Sequence, residues 1–560
     1  MTKIVGFLIT KEESQPQVDF FNVGLKKNVV KSKHYYLHYW GIGDIDKCKI
    51  GDKFTLSFPL HDSLLDRNIL IGFENDTITI ENDWLGSIPV YYNKKEKIVS
   101  TLPNFCLKDK TIHGEGFANF CEFGYSVFEQ TLFRDVKFMR YFSKLTLSDD
   151  ELSISYKDDP VLSDLLSDEE VDEETVIDLM QTYVSNIEAD IDGDIILPTS
   201  GGYDSRILNY FVQNKKRIRS FTYGISSEQI RSTEVVHAKK IAEIFHTMWE
   251  PVELNNFNAY IGDWAKLYGY ATHLHGMYHI EFYTKILKRH HFRTPTFLSG
   301  IIGDAWAEAG KFKSIKQPRD LVNLGYTHGM NLELGDVVVP RDHQIKKRFF
   351  DENKAYLEND KVKSVFAMRT KLILISYLTQ IPEYFGWPVW TPFLNYEIVK
   401  ATLNIPEKRR INRTWQRDFF KRVGLNLEDM HLKSVKSNML AYEIAQQSTF
   451  EPINVVLMKK YIRERRLIEI NNILLSGQAV HSNFDMMKNR LLAIPRVGGV
   501  LRLFGWHNRF LKALNEYYVI KSIEKSLASE TPCMQETSGK FPLNADPASK
   551  PDIRFKEVNI

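Results

Sequence analysis

Residues 195–206 read Ile-Ile-Leu-Pro-Thr-Ser-Gly-Gly-Tyr-Asp-Ser-Arg, and this stretch predicts the architecture around it. Its apolar start is typical of a buried strand, and the pattern of residues 206–212 predicts an amphipathic helix. Gly201 and Gly202, in the turn between them, allow backbone N–H groups to approach an anion at the helix N-terminus. We interpret the turn as a phosphate-binding site, with an ordinary glycine-rich connection as the alternative.

Polar side chains in the same turn fit that interpretation. Ser200 and Ser205 supply hydroxyl donors, and Asp204 supplies a carboxylate that a Mg²⁺ ion could bridge to phosphate. Arg206 starts the helix, where a cation opposes the helix dipole. Its guanidinium could reach pyrophosphate or pair with an acid, and the sequence leaves both possibilities open.

Composition excludes several classes of protein. The chain has 560 residues, 43% hydrophobic and 26% charged, which allows large buried cores. A formal net charge of +2 gives no electrostatic argument for nucleic acid as a partner. The four cysteines, at 48, 106, 121 and 533, fit neither a zinc site nor a disulfide framework. With no apolar run near the ~20 residues of a membrane span and no signal-peptide pattern, we expect a cytoplasmic protein without a membrane partner.

The hydrophobic pattern divides the chain into regions. Up to residue 158, short alternating runs at 54–58, 69–73 and 78–80 predict an antiparallel sheet. The acidic run 164–174 contains no Gly or Pro, and we interpret it as a linker that enters a helix over 176–189.

Strands then alternate with helices. Strands are predicted at 218–223 and 295–298, with a helix at 234–245 between them. This alternation favours a parallel, helix-covered sheet, which binds ligands at the carboxyl ends of its strands. Residues 365–525 are mostly helical in pattern, and the tail from 526 has a composition typical of disorder.

Residues 195–206 resemble the pyrophosphate loop of the asparagine synthetase family, which includes β-lactam synthetase and the lasso-peptide cyclases. Phe221-Thr-Tyr-Gly224 is similar to the family's second strand, whose end (here Tyr223 and Gly224) lies along the adenosine. Ser299-Gly-Ile-Ile-Gly-Asp304 resembles the Ser-Gly-Glu-Gly-Ser-Asp loop, which implies nucleotide binding by Ser299 and Gly300 and Mg²⁺ binding by Asp304 together with Asp204.

Later segments agree in order. Residues 234–242 match the helix after the second strand, and 391–395, Thr-Pro-Phe-Leu-Asn, look like the Arg-x-Pro-Phe-Leu-Asp segment. The resemblance implies that the cation near the α-phosphate comes from Arg413, Arg417, Lys433 or Lys436. Arg413 stands at the family's lysine position, where a guanidinium can stabilise charge but cannot relay a proton. A surface arginine on a helix is the alternative.

The N-terminal region is similar to the family's class II glutamine amidotransferase domain, on Asp83-Trp-Leu-Gly-Ser-Ile-Pro-Val-Tyr-Tyr92 and the stretch 123–133. The implied fold class is α/β plus α+β. An Ntn-hydrolase-like αββα sandwich at 1–158 precedes an ATP-binding pyrophosphate-loop domain with a parallel sheet at 170–445. A helical extension at 446–525 and a disordered tail at 526–560 follow.

Departures from the family affect the expected activity. The nucleophilic cysteine is replaced by Thr2, the glutamine-binding Asn-Gly-Glu-Ile-Tyr-Asn segment is missing, and Ile301-Ile302-Gly303 replace Glu-Gly-Ser. We therefore expect no glutaminase activity, although Thr2 could in principle act as an N-terminal nucleophile.

The resemblance implies an amide-forming ligase that uses ATP and Mg²⁺. It would adenylate a small-molecule or peptide carboxylate and pass the acyl group to ammonia or a substrate amine, and a homodimer is compatible with this activity. The alternatives are asparagine synthase (glutamine-hydrolysing) proper, a sulfur-inserting tRNA-modifying enzyme and a non-catalytic nucleotide-binding scaffold. His273, His275 and His279 also suggest zinc by their spacing, with polar or substrate-pocket histidines as the alternative.

Overall fold

The structure is a computed structural model. It describes residues 1–476 and 508–528, apart from 15, 17, 19, 22, 23, 75, 168, 311, 312 and 326–328, together with residue 491. The described strands are β1 Lys3–Thr10, β2 Lys26–Lys31, β3 Tyr36–Ile42, β4 Lys49–Ile50, β5 Lys53–Thr55, β6 Ile69–Glu74, β7 Thr77–Asn82, β8 Tyr91–Asn93, β9 Ile98–Ser100, β10 Val136–Phe138, β11 Ser143–Leu147, β12 Leu152–Tyr156, β13 Ile195–Pro198, β14 Ile218–Thr222, β15 Met248–Pro251, β16 Thr296–Leu298 and β17 Val389–Trp390.

Helices are concentrated after residue 159. The described α-helices are α1 Gly114–Phe123, α2 Pro160–Leu165, α3 Glu173–Asp190, α4 Tyr203–Phe211, α5 Thr233–Phe245, α6 Ile261–Tyr268, α7 Tyr278–Arg289, α8 Gly303–Ala307, α9 Gln344–Asn353, α10 Asp360–Ile375, α11 Tyr377–Tyr384, α12 Tyr396–Leu403, α13 Glu407–Arg410, α14 Thr414–Arg422, α15 Leu440–Gln447, α16 Val455–Met458, α17 Glu464–Ser476 and α18 Arg509–Ala528. None of them combines the length and the apolar character needed to cross a membrane.

The N-terminal region consists of two six-stranded sheets. Their strand orders are β10-β8-β9-β1-β3-β2 and β12-β11-β7-β6-β5-β4, and their neighbouring strands pair antiparallel. The facing sides form one apolar core, in which Phe7 and Ile9 of the first sheet meet Ile71 and Ile80 of the second. The alternating runs of the sequence therefore correspond to strands with one buried face.

A five-stranded parallel sheet forms the centre of the second region, in the order β15-β14-β13-β16-β17. Its two faces are both buried, because consecutive residues of β13 belong to different cores: Ile195 and Leu197 to one, Ile196 to the other. The prediction of a parallel, helix-covered sheet is confirmed. Residues 365–525 are mainly helical where they are described.

Two boundaries that the sequence predicted differ from those in the structure. The acidic run 164–174 begins inside α2, and its Asp172 caps α3 by accepting a hydrogen bond from the Thr175 N–H at 2.9 Å. The helix α18 continues to Ala528, so the expected tail cannot begin at 526. The rest of that tail, 529–560, lies outside the described residues.

A buried ion cluster joins the two regions. Arg67, before β6, forms two hydrogen bonds of 2.7 and 2.9 Å to the Glu383 carboxylate on α11. The Lys3 ammonium on β1 lies 3.4 Å from the same carboxylate, and all three side chains are at most 5% exposed. Burial lowers the pKa of Lys3 to about 8, while Glu383 acts to raise it. One carboxylate thus compensates two cations that are excluded from water.

Glu383→Gln should therefore destabilise the protein. The variant leaves Arg67 and Lys3 buried without a counter-charge, which costs about 3–5 kcal/mol. Asp351→Asn is the matched control, because it breaks an exposed ion pair to Lys347, worth less than ~1 kcal/mol. Thermal unfolding of both variants measures the difference, and equal melting temperatures would contradict it.

Candidate functional site

The glycine turn, residues 199–205, connects β13 to α4. The Ser205 hydroxyl accepts a hydrogen bond from the Ser200 N–H, and the Ser200 hydroxyl accepts one from the Gly202 N–H, both at 3.1 Å. Gly202 is the N-cap of α4, with extended φ and ψ of −69° and 160°. The predicted order of strand, turn and helix is confirmed, and the two serines hold the turn in shape.

Close packing explains the first glycine of the turn. A Cβ on Gly201 would lie 2.7 Å from the Cβ and Nδ1 of His237 on α5, whereas real Cβ atoms do not approach below 3.0 Å. Burial lowers the pKa of His237, and the charges of Arg206 and Lys436 lower it further. The imidazole beside the turn is therefore biased towards its neutral form.

Arg206 pairs with an acid. Its guanidinium forms two hydrogen bonds of 3.0 Å to the Glu428 carboxylate and one of 2.7 Å to the Gly201 carbonyl. The side chain is fully buried, so it cannot extend to a ligand at the mouth of the turn. Of the two possibilities for Arg206, the structure selects the ion pair, which fixes the backbone of the glycine turn from behind.

Asp204 contacts a second loop. This aspartate loop, residues 299–304, follows β16, the neighbour of β13, and the Asp304 N–H donates to Asp204 Oδ2 at 3.0 Å. The other oxygen, Oδ1, is buried with no hydrogen-bond partner among the described residues. Asp304 is exposed beside it. The two predicted metal ligands are thus adjacent. Among the described residues they are not part of a group of three or more His, Cys, Asp or Glu side chains that could hold a metal ion.

The environment of Asp204 favours its protonated form. Burial, and then the negative charge of Asp304, raise the pKa of Asp204 to about 7, while Arg413 acts in the opposite direction. A buried carboxylate oxygen without a donor, next to a second carboxylate, is a site that a divalent cation would satisfy. The residues present therefore fit Mg²⁺.

The aspartate loop is closely packed and strained. A Cβ on Gly303 would lie 2.7 Å from the Cγ of Asp204 and 3.0 Å from the Phe393 ring. Ile302 has φ 52°, a left-handed conformation that β-branched residues rarely adopt. Ser299 accepts a hydrogen bond from the Ile301 N–H at 3.2 Å, while a Cβ on Gly300 would make only ordinary contacts at 3.4 Å or more.

Arg413 lies at this site. Its guanidinium is 5.0 Å from the centroid of the Tyr203 ring and its Nε is 3.5 Å from a carboxylate oxygen of Glu308. The side chain is 30% exposed, and its backbone is left-handed with φ 53°. Arg417 donates to the Thr414 hydroxyl at 3.1 Å, and its charge also acts on Tyr203. Arg413 is thus a partly exposed cation beside Glu308 and Tyr203, and its positive charge lowers the pKa of Asp204.

The two lysines are less closely associated with the loops. Lys433 and Lys436 are exposed on a segment whose Val435 forms a parallel bridge with Ser232, at the start of α5. The charge of Lys436 acts on His237, beside the glycine turn. The role of Lys433 near the α-phosphate stays a prediction.

Tyr223 and Gly224 directly follow β14, the strand next to β13. A Cβ on Gly224 would meet the Gln229 carbonyl at 2.1 Å, so only glycine fits the backbone there. The Tyr223 ring packs edge-on against Tyr278 and Phe282, with centroids 5.7 and 5.2 Å apart. Tyr223 thus forms one wall of an aromatic cluster at the sheet edge.

The suspected zinc histidines belong to this aromatic cluster. His279 Nδ1 lies 3.4 Å from the Tyr283 hydroxyl, and His273 Nδ1 accepts a hydrogen bond from the His275 N–H at 3.2 Å. Burial lowers the pKa of both His273 and His279 to about 3. Within the described chain they form no metal-binding group, so the histidine alternative is favoured over zinc.

Sequence reasoning missed two further groups. Lys371 on α10 is half-buried, which lowers its pKa, while the Asp304 carboxylate acts to raise it. Glu234, on the first turn of α5, has a carboxylate oxygen that is buried without a hydrogen-bond partner in the described structure, and burial raises its pKa. Lys371 lies far from the loops in sequence and has no local motif, so no signal in the chain could have identified it.

Neither a protein-family model nor a curated protein matches this sequence significantly.

Gly303→Ala tests the fit between the two loops. Its methyl group would collide with the Asp204 carboxylate and Phe393, which should cost about 1–3 kcal/mol of stability. Gly300→Ala is the matched control in the same loop and should change stability by less than ~1 kcal/mol. Thermal unfolding measures both variants. A Gly303→Ala variant that melts at the same temperature as the unchanged protein would contradict the close contact between the two loops.

Asp204→Asn tests the raised pKa. Because the unfolded aspartate ionises near ~3.9, below the folded value of about 7, the native state loses stability as the pH rises from about 4 to 7. The variant lacks this loss, so without divalent cations it should be more stable than the unchanged protein at pH 8, by up to about 4 kcal/mol. The difference should shrink at pH 5.

Unfolding of both proteins at the two pH values checks this expectation. Asp178→Asn, which alters an exposed carboxylate, is the control, and its stability relative to the unchanged protein should be the same at both pH values. An Asp204→Asn variant that is less stable at pH 8 than the unchanged protein would contradict it.

Proposed function

We propose that this protein is an ATP-dependent ligase that adenylates a carboxylic acid and forms an amide bond. One observation carries the proposal: Asp204 and Asp304 lie together on neighbouring loops at the carboxyl ends of adjacent parallel strands, beside a glycine turn that starts a helix. Open parallel sheets bind nucleotides at this edge. The resemblance of the two loops to the asparagine synthetase family supports the same assignment.

In this proposal the glycine turn binds the pyrophosphate part of ATP. Backbone N–H groups at the start of α4 face the phosphates, and the helix dipole favours their negative charge. Tyr223 and Gly224, at the end of β14, are placed to flank the nucleoside, with Ser299 and Gly300 on the opposite loop. Arg206 does not contact the nucleotide in this proposal. It positions the glycine turn through its hydrogen bond to the Gly201 carbonyl.

Asp204 and Asp304 would hold a Mg²⁺ ion. Such an ion, when bound, neutralises phosphate charge and draws electrons from the α-phosphorus. Both aspartates must then be ionised, so cation binding would displace the proton that burial favours on Asp204. Arg413 and the half-buried Lys371 would add positive charge beside the two aspartates.

The reaction has two steps. A substrate carboxylate oxygen attacks the α-phosphorus, the α–β phosphoanhydride bond breaks, and pyrophosphate leaves from an acyl-adenylate. An amine then attacks the acyl carbon, and AMP leaves with the electrons of the acyl–oxygen bond. Charge develops on phosphate oxygens in both steps, so Arg413 and Lys371 would stabilise both transition states. Lys371 also has a lowered pKa, which suits a proton carrier better than the guanidinium of Arg413.

The N-terminal region would be an amidotransferase-like domain without glutaminase activity. Its two packed antiparallel sheets suit the middle layers of an αββα sandwich. Lys3, directly after Thr2, is used in the buried ion cluster with Glu383, so the start of this domain contributes to the domain interface. The amine would accordingly come from ammonia or a substrate, which disfavours asparagine synthase proper.

A non-catalytic scaffold remains the second candidate. The buried Ile301 favours it, since an apolar side chain there replaces the glutamate of the resembled loop. A scaffold would bind ATP and Mg²⁺ without turnover, and this difference separates the two candidates.

Exchange between ATP and labelled pyrophosphate tests the proposal, because exchange requires a reversible adenylation step. With a panel of carboxylic acids and Mg²⁺, the unchanged protein should show exchange with at least one acid. Asp304→Asn and Lys371→Met should each lower that exchange by about 10²-fold or more, because the first removes a proposed Mg²⁺ ligand and the second removes a cation beside the aspartates. Asp178→Asn is the exposed-carboxylate control and should retain it.

ATP binding distinguishes the outcomes. Tight ATP binding without exchange for any acid would overturn the ligase in favour of the scaffold. No ATP binding at all would overturn both candidates.

A further inference from the structure

A tryptophan of the N-terminal region packs in the apolar core of the second region. Trp84 lies in the segment 83–90, which connects β7 of one antiparallel sheet to β8 of the other and which we call the tryptophan loop. Its side chain is fully buried. It belongs to the same core as Leu197 of β13 and Leu298 of β16, and not to the core between the two antiparallel sheets. The tryptophan loop thus enters the core that supports the two strands of the candidate site.

A buried aspartate fixes the shape of the tryptophan loop. The Asp83 carboxylate accepts hydrogen bonds from the Leu85 and Ser87 N–H groups at 2.9 and 3.0 Å. It also accepts one from the Asn68 N–H at 3.0 Å and one from the Ser87 hydroxyl. Because four donors meet at one buried carboxylate, the backbone on both sides of Trp84 has little freedom. The indole therefore has a fixed direction.

The indole of Trp84 contacts a short segment that leads to the aspartate loop. We call this segment, residues 391–396 after β17, the strap. The Trp84 Nε1–H donates to the Leu394 carbonyl at 2.9 Å, and the Trp84 and Tyr396 rings pack with centroids 5.3 Å apart. The Leu65 carbonyl, also in the N-terminal region, accepts a hydrogen bond from the Tyr396 N–H at 2.8 Å. The N-terminal region thus binds the strap at two points.

The strap also contacts the aspartate loop and the helix α8. The Phe393 carbonyl accepts a hydrogen bond from the Trp306 Nε1–H at 2.9 Å, and the Phe393 ring is 3.0 Å from where a Cβ on Gly303 would lie. The rings of Trp84 and Trp306 have centroids 6.2 Å apart. Consecutive carbonyls of the strap therefore accept from tryptophans of the two regions. Trp306 is two residues beyond Asp304, so the strap helps to set the position of that carboxylate.

The backbone of Trp84 has a second partner, on α10. The Arg369 guanidinium donates to the Trp84 carbonyl at 2.8 and 3.1 Å and pairs with the Asp159 carboxylate at 2.6 Å. Arg369 lies two residues before Lys371, the cation whose charge interacts with Asp304. Trp84 is therefore linked to both sides of the candidate metal site: to Asp304 through the strap, and to Lys371 through α10.

We propose that Trp84 is a positioning residue for the aspartate loop, so that the N-terminal region takes part in the adenylation site through this contact. Without the indole N–H, the buried Leu394 carbonyl loses its donor, and the strap and the aspartate loop are held less firmly. The contacts of Trp84 are independent of the proposed function, whereas their consequence for catalysis rests on it. A displaced Asp304 would slow adenylation without weakening the glycine turn's hold on ATP.

Hydrogen exchange of the full chain, measured by mass spectrometry, tests the positioning role. In Trp84→Phe the amides of residues 299–306 should exchange about tenfold faster while those of β1 keep their rates, because the loop opens locally. Trp249→Phe is the matched control. It removes an indole hydrogen bond to the Thr222 hydroxyl on the other side of the parallel sheet, and should leave residues 299–306 unchanged. Ser87→Ala, which weakens the tryptophan loop but keeps the indole, should cause a smaller increase at residues 299–306.

The kinetics of pyrophosphate exchange separate a positioning role from a general loss of stability. With an acid that supports this exchange, Trp84→Phe should lower kcat about tenfold and keep the KM for ATP within about twofold, since the glycine turn is unaltered.

Three results would overturn the role of Trp84. They are unchanged hydrogen exchange at residues 299–306 in both Trp84→Phe and Ser87→Ala, an equal increase in β1, and an unchanged kcat in a variant whose loop is loosened. A lack of pyrophosphate exchange in the unchanged protein would instead overturn the proposed function, and hydrogen exchange would still decide whether Trp84 positions the loop.

Discussion

The adjacency of β13 and β16 in a parallel sheet is the constraint on which the candidate site depends. Parallel strands end at the same edge, so the glycine turn and the aspartate loop must meet although about a hundred residues separate them. Their contact is one hydrogen bond, from the Asp304 N–H to the Asp204 carboxylate. The close fit of Gly303 follows from that approach, and so does the Asp204 oxygen that has no partner in the described part of the chain.

Buried charge holds this arrangement in place. Arg206 pairs with Glu428 behind the glycine turn, and Arg67 pairs with Glu383 between the two regions of the chain. Pairs like these add little net stability compared with apolar packing, but breaking one leaves an uncompensated charge. The ion pairs therefore act mainly on specificity, because they disfavour alternative packings in which the partners are separated. The site keeps its shape because those alternatives are costly.

Local elements were predictable because their signals are local. The strand at 195–198 and its following helix were predicted from apolar runs and glycines, and so was the parallel sheet from alternation. The partners of individual side chains were harder to predict from the sequence. Arg206 was left open between a phosphate and an acid because Glu428 lies more than two hundred residues away. His279 suggested zinc by its spacing from His275, and its packing against the distant Tyr377 ring could not be read from the sequence.

The sequence by itself determined the elements and the chemical groups near the two loops, since hydrophobic period, glycine and proline act over a few residues. Only the tertiary structure decided which groups face one another. It buried Arg206 away from any ligand and placed Arg413 and Lys371 around the aspartates. The physical reason is that Coulomb interactions and burial depend on distances in space, which the order of residues along a chain does not contain.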